Sequence, residues 1–369
     1  MATKTKHIFN LYKEDYQDGY YHLSKDLKDY PDAWCYVVYS RRGPGKTYSG
    51  LRYAYANKIK FAYIKRTNED IDFICTDSIK SGVDPSPFSP LNRDFNINIK
   101  AKKIDKGLGG FYEVDKDTGE IIGEPIGYII SLNSIKRIKG FNLDEVDLII
   151  FDEFIPQAGE IVKVKEGEML LDLYMTLSRD RQLRGRDPLK LVLFANAEEI
   201  STPITNTLEI TDIICEMGDN NIYYDENRDI FIHHITDKEF PISDLSKVGI
   251  YKAMKGTKWF DKSFGGDFSN NDFSNICNIS LKNYRCMIRI KYNNHMYYIY
   301  YKDDTGSYYM TTSQGKYLYD YDLDKENGQK LFWLDFGMLL KIALAEDRFK
   351  FKKYSMYDLI INYKKYFRL

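Results

Sequence analysis

Short apolar runs recur through the first 200 positions, each closed by a polar or glycine-containing cluster. They are WCYVVY at 34–39, FAYI at 61–64, GYIIS at 127–131, VDLIIF at 146–151 and LKLVLFA at 189–195. The runs are nearly continuous rather than alternating, and helix-like spacers separate them. This pattern predicts a parallel sheet covered by helices on both faces, an α/β fold. Between the second and third runs, residues 72–124 are polar and loop-rich, with Pro85, Pro87, Pro90 and a glycine turn at 107–110. That is too long for a plain connection and predicts an inserted lid or subdomain.

The alternation fades after Asn206. The expected organisation is a first domain over 1–206, a linker domain over 207–264 with helical character near 243–255, and a third domain over 265–369. The last of these opens on the flexible stretch GGDFSNND at 265–272. It continues with strands at 286–292, 297–301 and 307–311, a hairpin turn at 302–306, and helices at 331–345 and 355–367. No apolar run reaches the ~18–20 residues that a membrane span requires. Residues 1–7 carry no apolar signal core, so the expectation is a soluble protein kept in a cytoplasm. Five scattered cysteines without a CxxC pair read as reduced thiols. The five histidines do not gather with them into a transition-metal site.

The formal net charge of −1 conceals an asymmetry. Residues 241–369 hold 21 Lys and Arg against 14 Asp and Glu, a surplus of +7, which leaves −8 for 1–240. The C-terminal part is thus suited to a polyanion, although small domains also differ in charge by chance. It contains 16 of the 32 tyrosines, compatible with base stacking and equally with a β-rich core.

The sharpest chemical signal is SRRGPGKT at 40–47, directly after the first apolar run. It matches G-x-x-x-x-G-K-[ST] except that Ser40 replaces the first glycine. Successive backbone N–H groups of such a loop wrap a β-phosphate, and Gly43 and Gly45 let the chain approach closely. Lys46 would bridge the β/γ oxygens and the Thr47 hydroxyl would hold Mg2+. The run at 147–153 ends in Asp152 and Glu153. A carboxylate at a buried strand end needs a partner, which a magnesium ion held through Asp152 supplies, and Glu153 is then placed to deprotonate water. ATP and Mg2+ are therefore the expected cofactors. Asn196 closes the fifth run, where a γ-phosphate sensor and a plain asparagine turn are both open. Arg179, Arg181, Arg184 and Arg186 follow an amphipathic helix. They read as a solvated face or as the source of an arginine finger reaching a neighbouring subunit, with Arg179 the first candidate and Arg181 the second. Arg42, inside the loop, could act in cis. Basic residues at 65–66 and 136–139 are surface charge, or contacts to DNA phosphates or an adjacent subunit.

The order of these pieces resembles the DNA-packaging motor ATPases of φ29-like bacteriophages. The resemblance rests on the phosphate loop with its internal arginine, YIKR at 63–66, IIFDEF at 149–154, TLSR at 176–179 and FANA at 194–197. It implies a P-loop ATPase of the additional-strand, catalytic-glutamate class. It also implies a homo-oligomeric ring, typically a pentamer, at the portal of a prohead, driving double-stranded DNA inward. Lys46 and Thr47 would take the Walker A role, Asp152 Walker B, Glu153 the catalytic glutamate and Arg179 the trans finger. Lys139 would act across the subunit interface. The C-terminal domain would be RNase H-like, inactive as a nuclease and bound to a structural packaging RNA. The strand CMIRIKY at 286–292 contains no acid, in keeping with a lost nuclease, which needs several converging carboxylates to hold two metals. Two other readings stay open: a DNA-pumping or helicase-like ATPase unrelated to capsids, and a nucleotide-switched assembly protein.

Overall fold

Nine strands build the larger sheet of the computed structural model, which describes residues 10–76, 84–138, 140–141, 143–157, 159–160, 162–218, 220–236, 239, 249–257 and 271–367. They are β1 (Cys35–Ser40), β2 (Phe61–Lys65), β3 (Ile99–Asp105), β4 (Leu108–Val114), β5 (Ile121–Ser131), β6 (Leu148–Asp152), β7 (Lys190–Asn196), β8 (Ile222–Asp225) and β9 (Ile230–Ile235). Their order is β3-β4-β5-β2-β6-β7-β1-β9-β8. The six strands from β5 to β9 run parallel, and β3–β4 and β8 close the two edges antiparallel. The five apolar runs became β1, β2, the end of β5, β6 and β7. All six residues of β1 and the first four of β6 are buried, as expected of strands covered on both faces.

Register is what places the chemistry. Ser40 pairs with Asn196 and Asp152 with Phe194, so β1, β7 and β6 end together at one edge of the sheet. In an open parallel sheet the carboxyl ends of the strands are where ligands bind. The helix Lys46–Ala56 follows β1 after a short loop and packs at Gly50 against Phe194 and Ile150. A Cβ on residue 50 would stand 2.7 Å from the Phe194 ring.

Two expectations about organisation are corrected. The insertion is no separate lid, because its residues complete the sheet and the core. Phe88, Leu91, Ile99 and Phe111 are fully buried in the same cluster as Phe61 and Tyr63. The Phe88 ring lies 4.9 Å from Phe111 and 6.1 Å from Phe61. Polar composition hid this, since β3 exposes four of its seven residues and carries its lysines outward. Nor do residues 207–264 form a domain of their own. The chain divides into two compact units, 1–199 with 217–269, and 200–216 with 270–369. β8 and β9 extend the first sheet through β1, and the boundary expected at 206 falls at 199. The helix expected near 243–255 is described only as Gly249–Met254.

The second unit carries its own five-stranded sheet of β10 (Arg285–Tyr292), β11 (His295–Lys302), β12 (Ser307–Thr311), β13 (Tyr319–Asp322) and β14 (Phe349–Phe351), ordered β13-β10-β11-β12-β14. The helices Glu326–Phe332, Met338–Ala345 and Tyr354–Ile361 pack their apolar sides into its core with Ile288, Ile299, Met310 and Phe351. β13 and β14 are short and escaped the sequence pattern. Among the described residues no helix is long and apolar enough to cross a membrane. No cluster of three or more His, Cys, Asp or Glu is placed there to hold a metal.

If the insertion belongs to the core, Phe88→Ala will cost ~3–5 kcal/mol. Thermal or urea denaturation should then place the transition well below wild type. A lid residue would leave the midpoint unchanged.

Candidate functional site

The sequence dictates the shape of the loop between β1 and the helix Lys46–Ala56. Gly43 and Gly45 adopt φ of 105° and 88°, a left-handed conformation that a side chain would strain, and Gly45 caps the helix. Ser40, the departure from the motif, is the last residue of β1 and needs no such freedom. It is wholly buried, its hydroxyl donates to the Arg41 carbonyl at 2.6 Å, and it accepts from Lys46 Nζ. Lys46 Nζ also reaches the Arg41 carbonyl at 3.3 Å and Asn196 Oδ1 at 3.4 Å. Burial pushes the Lys46 ammonium down to about 8, against the opposing pull of Asp152 and Glu153 and with the help of Arg41.

The end of β6 meets this loop. Thr47 Oγ1 donates to Asp152 Oδ1 at 2.9 Å, and the Tyr63 hydroxyl donates to the other oxygen at 2.8 Å. Glu153 has φ of 60°, an unusual conformation for a glutamate. The turn is held by the Phe154 amide, which donates to the Phe194 carbonyl at 3.1 Å. Arg66 Nη2 holds it as well, donating to the carbonyls of Glu153 and Phe154. Arg66 is itself fixed by Glu166 at 2.5 Å and Glu160 at 2.9 Å. Lys65 Nζ donates to Glu153 Oε2 at 2.9 Å, and Gln157 to Oε1 at 3.2 Å. Burial alone would raise the Glu153 carboxyl, but Lys65, Gln157 and Arg42 together lower it, so it is ionised at neutral pH. Lys65 moves the opposite way: burial would depress it, and Asp152 and Glu153 raise it above the usual lysine value.

These groups line a cleft of about 540 Å3 that includes Arg42, Gly43, Gly45, Lys46, Thr47, Asp152, Glu153, Gln157 and Asn196. Arg42 reaches toward Gln157 at 3.5 Å and Glu198 at 3.8 Å. The structure therefore brings together every expected site residue of the loop and of strands β6 and β7. Hydroxyl, carboxylate and ammonium converge there as a triphosphate with a hard cation requires.

The arginine run divides. Arg181 is buried, its Nη1 on the Val146 carbonyl at 2.6 Å and its Nη2 on Asp147 at 2.5 Å, so it staples the entry to β6 and cannot reach out to a neighbour. Arg184 binds Asp144, and Arg186 binds Asp147 at 2.8 Å. Arg179 is left outward, its side chain 81% exposed and 3.8 Å from Asp180. Lys136 and Arg137 are exposed, and Lys139 lies outside the described residues. Lys65 and Arg66, read as surface contacts from sequence, instead set the Glu153 turn. Tyr63, Lys65, Arg66 and Gln157 were missed as site residues. Only the neighbourhood of β2 and β6 reveals them, and sequence order separates those strands by some 80 residues.

Solved structures share this fold along nearly the whole chain. The Phi-28 gp11 DNA packaging motor is 15% identical, with 95% of this chain and 98% of that chain covered at a TM-score of 0.58. The bacteriophage Phi-29 viral genome packaging motor assembly is 16% identical, with 95% and 99% covered at a TM-score of 0.59. No protein-family model and no curated protein matches the chain. The architecture is that of phage DNA-packaging motor proteins.

The depressed Lys46 makes a checkable statement about stability. Its pKa is about 8 folded against 10.5 unfolded, so below pH 8 both states are protonated and the folded state bears the full cost. Between pH 8 and 10.5 the unfolded state binds more protons, so stability rises with pH until the cost is gone. Lys46→Met should therefore make the nucleotide-free protein more stable at pH 7, by on the order of 1–3 kcal/mol. Urea denaturation should find the gap closing from pH 8 to 10.5. A variant less stable than wild type at pH 7 would contradict the assignment.

Proposed function

We propose that this chain is an ATP-hydrolysing ring motor that drives double-stranded DNA into a viral prohead. The observation that carries the reading is the 2.9 Å contact between Thr47 and Asp152, which joins the phosphate loop to the end of β6. The shared fold supports the packaging role. β7 lies between β1 and β6, so one strand separates the loop-bearing strand from the acid-bearing strand. With Glu153 next to Asp152, that favours the additional-strand, catalytic-glutamate class.

In this reading the loop amides and Lys46 hold the β/γ-phosphates, and Lys46 exchanges the Ser40 hydroxyl for phosphate oxygen. Thr47 and Asp152 are oxygen donors fit to hold Mg2+, which when bound neutralises charge on the transferred phosphoryl group. Asn196, already 3.4 Å from Lys46, senses the γ-phosphate side. Glu153 takes the proton of the attacking water, a task for which its lowered pKa keeps it ionised and for which it must leave Lys65. Arg42 supports the phosphates in cis, and Arg179 enters the neighbour's cleft. That assignment is favoured because Arg181, Arg184 and Arg186 are all engaged on 144–147. We place Lys139 across the same interface on the resemblance alone. The ring is a pentamer at the portal, working in the host cytoplasm and absent from the finished virion.

We assign the second unit to binding nucleic acid, foremost a structural packaging RNA, on the resemblance described above and on the +7 surplus of residues 241–369, of which the unit's own residues 200–216 and 270–369 hold +2. It is a vestigial, RNase H-like domain without nuclease activity. Its β10–β12 meander with β13 parallel to β10 favours that kinship, and β14 at the opposite edge departs from it. Asp320 and Asp322, on β13, are engaged by Arg289 and Lys291 rather than left to hold metal.

DNA-stimulated ATP hydrolysis should fall by about 10²–10⁴-fold in Glu153→Gln with nucleotide binding retained. In mixtures with wild type, Arg179→Ala should depress activity by more than its share of subunits. Unchanged turnover in the first case, or strict proportionality in the second, removes the respective assignment. The full chain should bind structured RNA with an affinity that falls steeply as salt rises. Absence of binding at low salt refutes the C-terminal role.

A further inference from the structure

One helical rod of the second unit is apolar on both sides. Glu326–Phe332 and Met338–Ala345 are joined by the π-helical turn Trp333–Gly337, with right-handed helical backbone at both joins. Phe332, Phe336, Leu340 and Ala343 turn into the core with Ile288 and Ile290 of β10. Leu331, Leu334, Met338, Leu339 and Ile342 do not, and they are between 43% and 77% exposed. A helix that is apolar all round belongs in an interior, so this outer stripe is a face built to be covered. Trp333 makes the contrast. It stacks on Tyr363, and its ring is capped by Lys341 and Lys364, each 5.1 Å away. Lysine stems shield that ring, whereas the five aliphatic side chains stay open to water.

The stripe continues onto the sheet. β13 is an edge strand, the Tyr319 ring packs on Phe336 at 5.0 Å, and Leu318 and Tyr319 are exposed. Among the described residues no strand pairs with the outer side of β13, which leaves that edge open to another strand. A large side chain in water offers ~150–250 Å2, so these seven residues present on the order of 800 Å2. The largest patch on an ordinary monomer is about 300–600 Å2, and one partner of a standard interface supplies about 800 Å2.

The charges at the two ends are those a second copy would match. Lys330 stands one residue before the stripe and Glu346 four residues after it, both exposed. Laid antiparallel across a two-fold axis, Leu331 of each copy meets Ile342 of the other, Leu334 meets Leu339, and Lys330 approaches Glu346. Within one chain Lys330 holds Glu326 and Glu346 holds Arg348, exposed pairs weak enough to be exchanged. Asp335 is the only acid between 331 and 342, and it accepts from the Tyr321 hydroxyl at 2.7 Å, so it does not enter the contact as a bare charge. Two like edges related by a two-fold run antiparallel, so the β13 edges can pair as well.

We propose that this face binds a second copy of the chain, in a two-fold dimer built on residues 331–342 and the edge of β13. Such a contact uses the same patch on both copies and closes at two. It is therefore distinct from the interface that Arg179 would serve in a ring, and it goes beyond the nucleic-acid role given to the second unit.

Sedimentation equilibrium of the full, nucleotide-free chain across the micromolar range tests this. Wild type should show a monomer–dimer equilibrium. Leu334→Asp and Met338→Asp should each weaken it by at least ~10-fold while keeping the wild-type melting transition, and Arg179→Ala should leave it unchanged. Lys330→Glu should weaken the dimer, and adding Glu346→Lys should restore it. That exchange keeps the test alive even where an aspartate in the stripe harms folding. A wild type that stays monomeric, or association untouched by the aspartates and by the charge exchange, overturns the proposal. Loss of RNA binding in Leu334→Asp with association intact overturns it too, and gives the face to nucleic acid.

Discussion

A lysine ammonium withdrawn from water must be surrounded by acceptors, and Lys46 meets that demand where β1, β7 and β6 end together. Its neighbours are the Ser40 hydroxyl from β1, the Arg41 carbonyl and Asn196 from β7. The arrangement is incomplete as a resting place, since the charge stays depressed to about 8. A protein that only needed a stable sheet edge would put an apolar side chain there. The cost is consistent with a site built for an anion that is not always present, a common trade of stability against function.

Around that cation the structure spends its other charges on positioning. Arg66 fixes the backbone turn of Glu153, Lys65 and Gln157 hold its carboxylate, and Arg181 ties the loop before β6. Lys65 closes β2 and Arg66 follows it directly, so the two acids at the end of β6 are preorganised rather than left on a free loop. Removing one partner of such a buried pair leaves the other charge uncompensated, which costs more than the pair contributes. The insertion takes part as well: Phe88 completes the core under β2 while Ser86, Pro87 and Pro90 border the cleft.

Continuous apolar runs were enough to identify five strands, β1, β2, the end of β5, β6 and β7, that carry or flank the site. The glycines at 43 and 45 and the paired acids at 152–153 were enough to name its first residues. Strand neighbours could not be read, because parallel order is decided by crossover connections far apart in sequence. Tyr63 and Lys65 therefore became site residues only once β2 lay beside β6. The insertion was misjudged because composition reports exposure, and β3 is an exposed edge whose buried partners are few. Charge runs were ambiguous for a similar reason. An arginine that caps carbonyls and one that faces solvent have the same sequence signature, and only geometry separated Arg181 from Arg179.

The most direct test of the central claim is a structure with Mg2+ and ATPγS bound. The account predicts the triphosphate wrapped by residues 41–47, Lys46 Nζ moved from the Ser40 hydroxyl onto phosphate oxygen, and the ion between Thr47 and Asp152. Density for the nucleotide elsewhere, or Lys46 still seated on Ser40 with the ligand bound, would contradict it.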